Sequence, residues 1–201
     1  MLPHEPVPLY SFDSKGLFGN DNVYCIPKAG FFETAVLNSS VIWFVTKQIC
    51  PPVSGGFYPV RGTFAENFPI PAVNSTDKEK LATLAEATQT AAEARRDEVK
   101  RFGRMVLRDL VPGGLQGGGK LPAAWDAAVP DFAEFTAELK KRYKRELTLG
   151  QRNDWDAAVA RSRERVAQLT QSIQRCEREM DAIVYRLFDL TPQEIALIET
   201  E

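Results

Sequence analysis

The sequence predicts an α+β protein, and three observations support that fold class. Residues 1 to about 73 are rich in aromatic residues, proline, glycine and asparagine, and they contain short runs typical of strands. Two later stretches instead repeat apolar residues at steps of three or four, which is the spacing of one helix face. We therefore expect a small strand-containing module over residues 1–75, followed by a helical region over residues 76–201.

The first module is expected to contain two short strands on either side of one helix. Val23–Pro27 is typical of a strand closed by proline, and Gly55–Val60 is typical of a turn that enters a second strand. Between them, residues 31–49 have helical apolar spacing, and Pro51-Pro52 must end that helix. A further apolar run, Phe64–Ile70, completes the module.

The helical region is expected to form a long antiparallel hairpin. Apolar spacing predicts long helices at about 77–110 and 152–189, and a shorter one at about 131–146. Thr76 to Glu79 has the pattern of a capping box, and Thr191 to Glu194 has the same pattern before a short final helix. Between Trp155 and Leu187 the apolar residues form a coiled-coil heptad seam, which permits pairing within the chain or with another subunit.

Composition and charge exclude several classes of function. The formal net charge is −2 and the only histidine is His4, so a basic stand-alone DNA binder, a triad and a multi-histidine metal site are all disfavoured. Pro51-Pro52 lacks the flanking residues of an amino-methyltransferase motif, since Cys50 and Val53 stand there. We predict no catalytic residues, no metal site, no membrane span and a cytoplasmic protein.

Four polar residues are the candidate DNA contacts: Lys47, Gln48, Ser54 and Arg61. They border the turn between the predicted helix and strand, and arginine and glutamine can pair bidentately with guanine and adenine. An ordinary polar loop, or an ion pair of Arg61 with Glu66 or Glu33, would explain the same residues. Two basic clusters lie on the predicted helices, at residues 95–108 and 140–145. We interpret them as solvent-exposed helix faces in preference to phosphate contacts.

Six stretches together resemble the TaqI-like specificity domain of γ-class DNA adenine methyltransferases and combined type II (type IIG) restriction-modification enzymes. They are Phe18–Pro27, Leu37–Trp43, Gly55–Tyr58, Phe68–Pro71, Glu179–Phe188 and Leu190–Ile195. The resemblance implies a target-recognition module that reads bases in the major groove of double-stranded DNA. It also implies a catalytic methyltransferase domain, amino-terminal to this segment, that binds S-adenosylmethionine.

The expected function is therefore sequence-specific DNA recognition, without catalysis or cofactor in this segment. The expected partners are double-stranded DNA and the amino-terminal methyltransferase domain, and the isolated segment is expected to be a monomer. The alternative is a helical protein-interaction module whose seam assembles with another subunit.

Overall fold

The fold is all-α. The computed structural model describes residues 10–16, 25–53, 58, 60–114 and 119–200. About 70% of the structure is helical. Within the described ranges there is no sheet, and Val53 is an isolated bridge residue. The predicted α+β class is therefore wrong.

The expected strands fail for a physical reason where the structure describes them. Residues 23, 24, 54–57 and 59 lie outside the described part of the chain, whereas Cys25–Pro27 is irregular and Phe64–Ile70 begins inside a short helix. An extended segment needs partners for its backbone groups, but these partners need not be another strand. In the run Phe64–Ile70 local bonds supply them: the amides of Phe64 and Ala65 donate to the Arg61 carbonyl, and the amide of Phe68 donates to the Ala65 carbonyl. Nearer the amino terminus side chains supply them: Asn38 pairs with the backbone of Tyr10, and Gln89 pairs with that of Phe12.

The described residues form seven α-helices and one 3-10 helix, at Ala123–Asp126. The α-helices are α1 (Phe31–Leu37), α2 (Ser40–Ile49), α3 (Gly62–Ala65), α4 (Ser75–Leu110), α5 (Phe132–Tyr143), α6 (Leu149–Leu187) and α7 (Pro192–Thr200). The helical spacing over residues 31–49 is divided between α1 and α2. The division occurs because Ser39 caps α2, accepting a bond from the amide of Ile42.

Two helix starts can be compared with their predicted capping boxes. Before α7 the prediction is confirmed: the Thr191 amide donates to Glu194 Oε2 at 2.8 Å, and the Glu194 amide donates to Thr191 Oγ1 at 3.3 Å. Before α4 it is wrong, because the helix begins at Ser75 and Asn74 is the cap. The Asp77 amide donates to Asn74 Oδ1 at 2.9 Å, and the Asn74 amide group donates to the Asp77 carboxylate at 2.7 Å.

The chain divides into two compact units. Unit 1 comprises residues 1–89 and 175–201, and unit 2 comprises residues 90–174. Both long helices, α4 and α6, contribute residues to each unit. The first module shares unit 1 with the start of α4 and the end of α6, and the boundary predicted near residue 75 stays a prediction.

Unit 1 is built around apolar side chains from α1, α2, α4 and α6. Its buried core includes Phe32, Ala35, Val36, Ile42, Leu81, Ala85, Met180, Ile183 and Val184. Two polar contacts join α6 to other helices of this unit. Asp181 accepts bonds from Ser40 at the start of α2, and Arg186 donates two bonds to Asp77 at the start of α4.

Unit 2 has an aromatic core. Phe135 of α5 is fully buried and contacts the rings of Phe102, Trp125, Phe132 and Trp155, with centroid separations of 5.4 to 6.2 Å. Aliphatic side chains from α4, α5 and α6 complete the cluster: Val99, Val106, Leu110, Leu139 and Val159. The aromatic residues thus come from four separate helical segments and hold them around one centre.

The predicted heptad seam of α6 is buried within the chain. Its central side chains are each at most 8% exposed: Leu169, Ile173, Cys176, Met180 and Ile183. The intrachain use of the seam is therefore the one that the structure contains. None of the helices in the described ranges combines the length and apolarity that a membrane crossing requires.

Candidate nucleic-acid interface

A cation and two aromatic rings meet at the end of α2. Lys47 lies in the last turn of this helix, and its ammonium group lies 5.6 Å from the centre of the Trp43 ring. Tyr58 meets Trp43 edge to face, with centroids 5.3 Å apart and planes at 88°. The ring attracts the cation and restricts its side chain, while the helix carboxyl end also favours positive charge there. Lys47 is thus held in place, half-buried, beside an aromatic pair.

Arg61 lies three residues after Tyr58, at the cap of α3. Its carbonyl accepts bonds from the amides of Phe64 and Ala65, so its backbone has a structural role. Its side chain is exposed, and its guanidinium group makes no ion pair with any described residue. Glu33, one of the alternative partners, instead accepts a bond from the Gly30 amide at 2.7 Å. The five donors of Arg61 are therefore available to a ligand within the described surroundings.

The structure describes three of the four candidate residues. Lys47 and the exposed Gln48 are neighbours at the end of α2, and Ser54 lies outside the described residues. Trp43 and Tyr58 were not among the candidates, although Trp43 contacts Lys47 and Tyr58 packs against Trp43. The i, i+4 spacing of Trp43 and Lys47 on a helix could have indicated their contact. The approach of Tyr58 depends on tertiary structure and had no sequence signal.

A small pocket of about 140 Å³ in unit 1 is a second place where polar groups gather. It is lined by Ala35, Asn38, Ser39, Ser40, Glu177, Met180 and Asp181. The Asp181 carboxylate accepts bonds from the Ser40 amide at 2.9 Å and from Ser40 Oγ at 2.7 Å. Burial raises the pKa of Asp181 against the effect of these bonds, and burial followed by the Asp181 charge raises the pKa of Tyr185. The start of α2 accounts for the position of this carboxylate, because helix amino ends favour negative charge.

Several basic residues of the helices form ion pairs with neighbouring acids. Arg101 pairs with Glu98 at 2.6 Å, and Arg108 pairs with Asp109 at 2.6 Å. On and after α5, the pairs are Lys140 with Glu146, Lys141 with Glu138, and Arg142 with Glu138. Among the described residues, no three or more His, Cys, Asp or Glu side chains are grouped so that they could hold a metal ion.

Comparison with known proteins identifies one family. The model of a domain of unknown function, DUF8810, matches residues 74–184, which is more than half of the chain. The match spans α4, α5 and most of α6, and it leaves out the Lys47 and Arg61 region and α7. No curated protein and no solved structure matches the chain. The chain therefore belongs to the DUF8810 family.

Proposed function

We propose that the chain is the sequence-specific DNA-recognition segment of a bacterial DNA adenine methyltransferase or restriction-modification protein. One observation carries the proposal: at the end of α2 Lys47 lies against Trp43, Tyr58 packs on the same ring, and the guanidinium of Arg61, three residues after Tyr58, has no ion-pair partner among the described residues. A cation that lies against an aromatic ring is suited to phosphate contact, and an arginine without a partner among the described residues is suited to base reading.

The stretches that resemble the specificity domain also support the proposal, because two of them meet in unit 1. Ser40 belongs to the Leu37–Trp43 stretch and Asp181 to the Glu179–Phe188 stretch, and these residues share two hydrogen bonds. Asn38, next to Ser39, holds the backbone of Tyr10. These two resembling stretches are thus packed together in unit 1, which also contains the end of α2.

The alternative function is a helical interaction module that assembles with another subunit. The burial of the α6 seam counts against the contact surface expected for it. Exposed apolar side chains in unit 1 favour it: Ile26, Ile49, Val53, Ile70 and Leu197. Light scattering over a range of protein concentrations separates the two, because the DNA-recognition proposal expects a monomer in the absence of DNA.

Selection of bound duplexes from a random double-stranded DNA library tests the proposal directly. The chain should enrich one sequence motif, and Arg61→Ala should relax the choice at one base position, since a bidentate pair contributes about 1 to 3 kcal/mol of discrimination. Lys47→Ala should weaken binding to all sequences about equally, as expected for a phosphate contact. Failure of the wild-type chain to enrich any motif would contradict the proposal.

Two matched variants serve as controls for this selection. Arg178→Ala and Lys80→Ala each remove one exposed cation from unit 1 at a distance in sequence from the end of α2. Both should leave the enriched motif unchanged.

Calorimetric titration with S-adenosylmethionine should show no binding, because the proposal assigns the cofactor to another domain, and stoichiometric binding would contradict that assignment.

A further inference from the structure

The formal charge is divided unequally between the two units. Unit 2 contains 16 Lys and Arg residues against 12 Asp and Glu residues, whereas unit 1 contains 9 against 15. Unit 2 is therefore at +4 and unit 1 at −6. An acidic unit is repelled by DNA, so a protein that reads bases with unit 1 needs phosphate contacts beyond the one proposed for Lys47. The charge balance points to unit 2 as their source.

Three cations of unit 2 lie in one row along α4. Arg96, Lys100 and Arg104 are spaced four residues apart and all three are exposed. The opposite face of the same helix carries the buried side chains of the unit 2 core, including Phe102 and Val106. We call Arg96, Lys100 and Arg104 the α4 basic row. Its members follow one another at a rise of about 6 Å.

The α4 basic row differs from the other cations of this helix in its partners. Arg101 and Arg108 each bind a carboxylate through two nitrogens, at distances between 2.6 and 2.9 Å. The three residues of the row form no hydrogen bond or ion pair with any described residue. Like charges at i, i+4 destabilise a helix. The three cations therefore repel one another, and the exposed Asp97 between Arg96 and Lys100 forms no ion pair with either of them.

We propose that the α4 basic row is the phosphate-contact surface through which the protein binds double-stranded DNA. That the bound polyanion is DNA rests on the proposed function. A straight row of evenly spaced cations fits a polymer with regularly spaced negative charge, and two of its three members are arginines, which match phosphate geometry with paired donors. Unit 2 thus supplies affinity that does not depend on sequence, while the end of α2 supplies sequence choice.

The salt dependence of binding to a duplex of random sequence tests this surface. Each phosphate contact contributes about −0.9 to the slope of log K against log salt concentration. The triple variant R96Q/K100Q/R104Q should therefore lose about 2 to 3 units of slope relative to the wild-type chain. Its thermal midpoint should rise, because the like-charge repulsion within α4 is removed.

A triple variant with the same change in net charge is the control. K140Q/K141Q/R142Q removes three cations that already pair with Glu146 and Glu138, and its salt slope should stay close to that of the wild type. Equal losses of slope in both variants would show that only net charge matters and would overturn the proposal. Competition by poly-glutamate as effective as competition by unlabelled duplex would overturn it in favour of an acidic protein partner.

The same measurements distinguish this inference from the proposed function. If the library selection enriches a motif while the row variant keeps the wild-type salt slope, the inference fails and the proposed function stands. If no motif is enriched while the row variant alone loses slope, the chain binds DNA without reading sequence. In that case the proposed function fails and the phosphate surface stands.

Discussion

Unit 1 and unit 2 differ in the contacts that accompany their apolar cores. In unit 1, side chains distant in sequence meet through short hydrogen bonds of 2.7 to 3.2 Å, as in the pairs Ser40–Asp181 and Asp77–Arg186. In unit 2 the bonds from Arg101, Arg145 and Arg163 are 3.3 to 3.4 Å long, Tyr143 donates a short bond to the Lys120 carbonyl, and packed aromatic rings occupy the centre. Both units bury an apolar core, and in unit 1 directional bonds to the Asp181 and Asp77 carboxylates also join the helices.

This difference agrees with the functions proposed for the two units. Reading a base requires donors held within fractions of an ångström, and a network of directional bonds provides that. Contact with a regular phosphate backbone tolerates looser placement, so an apolar core carrying an exposed basic row is sufficient. Four predictions test the comparison, and they follow in order of decreasing expected effect.

Phe135→Ala should produce the largest effect, because this ring is fully buried among four others. The cavity and the lost apolar contact should lower the free energy of unfolding by about 3 to 5 kcal/mol. Hydrogen exchange should show loss of protection in unit 2, while the amides near Ser40 keep theirs. Phe132→Ala, at a half-buried site, is the control and should cost less. Equal loss of protection in both units would contradict their separate cores.

Ser40→Ala should show the contribution of one directional bond in unit 1. The variant removes the hydroxyl that donates to the buried Asp181 carboxylate at 2.7 Å. Denaturant unfolding should report a loss of about 1.5 to 3 kcal/mol, the range for a hydrogen bond to a charged group. Ser172→Ala, on α6, is the matched control and should change stability by less than about 0.5 kcal/mol. Similar values for both variants would mean that this bond does not stabilise unit 1.

The two aspartates that join α6 to other helices should respond to pH with opposite signs. Burial raises the pKa of Asp181, so its contribution to stability is full at acid pH and is lost as pH rises through the folded-state pKa. Bonds from Arg186 and Asn74 lower the pKa of Asp77, so its contribution is present above the ordinary value of 3.8 and is lost as pH falls.

Unfolding of Asp181→Asn and Asp77→Asn in urea, between about pH 3 and pH 7, measures these signs. Relative to the wild type, Asp181→Asn should gain stability as pH rises, and Asp77→Asn should lose it. Wild-type pH dependence in both variants would show that neither carboxyl group titrates differently in the folded and unfolded states.

The contact between Lys47 and Trp43 should make the smallest contribution. Lys47→Met keeps the length of the side chain and removes its charge, and it should lower the unfolding free energy by about 0.5 to 1 kcal/mol. Trp43→Phe retains a ring face and should lose less than Trp43→Leu. Equal losses in the two Trp43 variants would indicate that the ring only fills space.

The helical part of the fold could be predicted because its signals are local. Apolar spacing indicates α4 and α6 without any knowledge of their partners, and Thr191 to Glu194 indicates the start of α7. The first module could not be predicted in the same way. Its extended residues bind side chains that lie 28 and 77 positions away, and no local pattern distinguishes this from pairing with a strand.

In the candidate site, too, the residues with local signals could be predicted and those that depend on tertiary contacts could not. Lys47, Gln48 and Arg61 were indicated by residue type and by the turn signals around Pro51-Pro52. Trp43 and Tyr58 were missed, because their contact joins α2 to a residue beyond the turn. The basic cluster at residues 95–108 was expected to be a solvated face. Only the folded helix distinguishes Arg101 and Arg108, which pair with acids, from the three residues of the α4 basic row.

The side-chain partners of Tyr10 and Phe12 have a chemical consequence. Asn38 and Gln89 each use both atoms of one amide: the oxygen accepts from a backbone N–H, and the nitrogen donates to the carbonyl of the same residue. Deamidation would replace each donor with an acidic oxygen, which faces the carbonyl with like charge. Hydrolysis of either amide releases ammonia and removes the donor of that pair, so we expect ageing of the protein in mildly alkaline solution to weaken the attachment of residues 10–12 to unit 1.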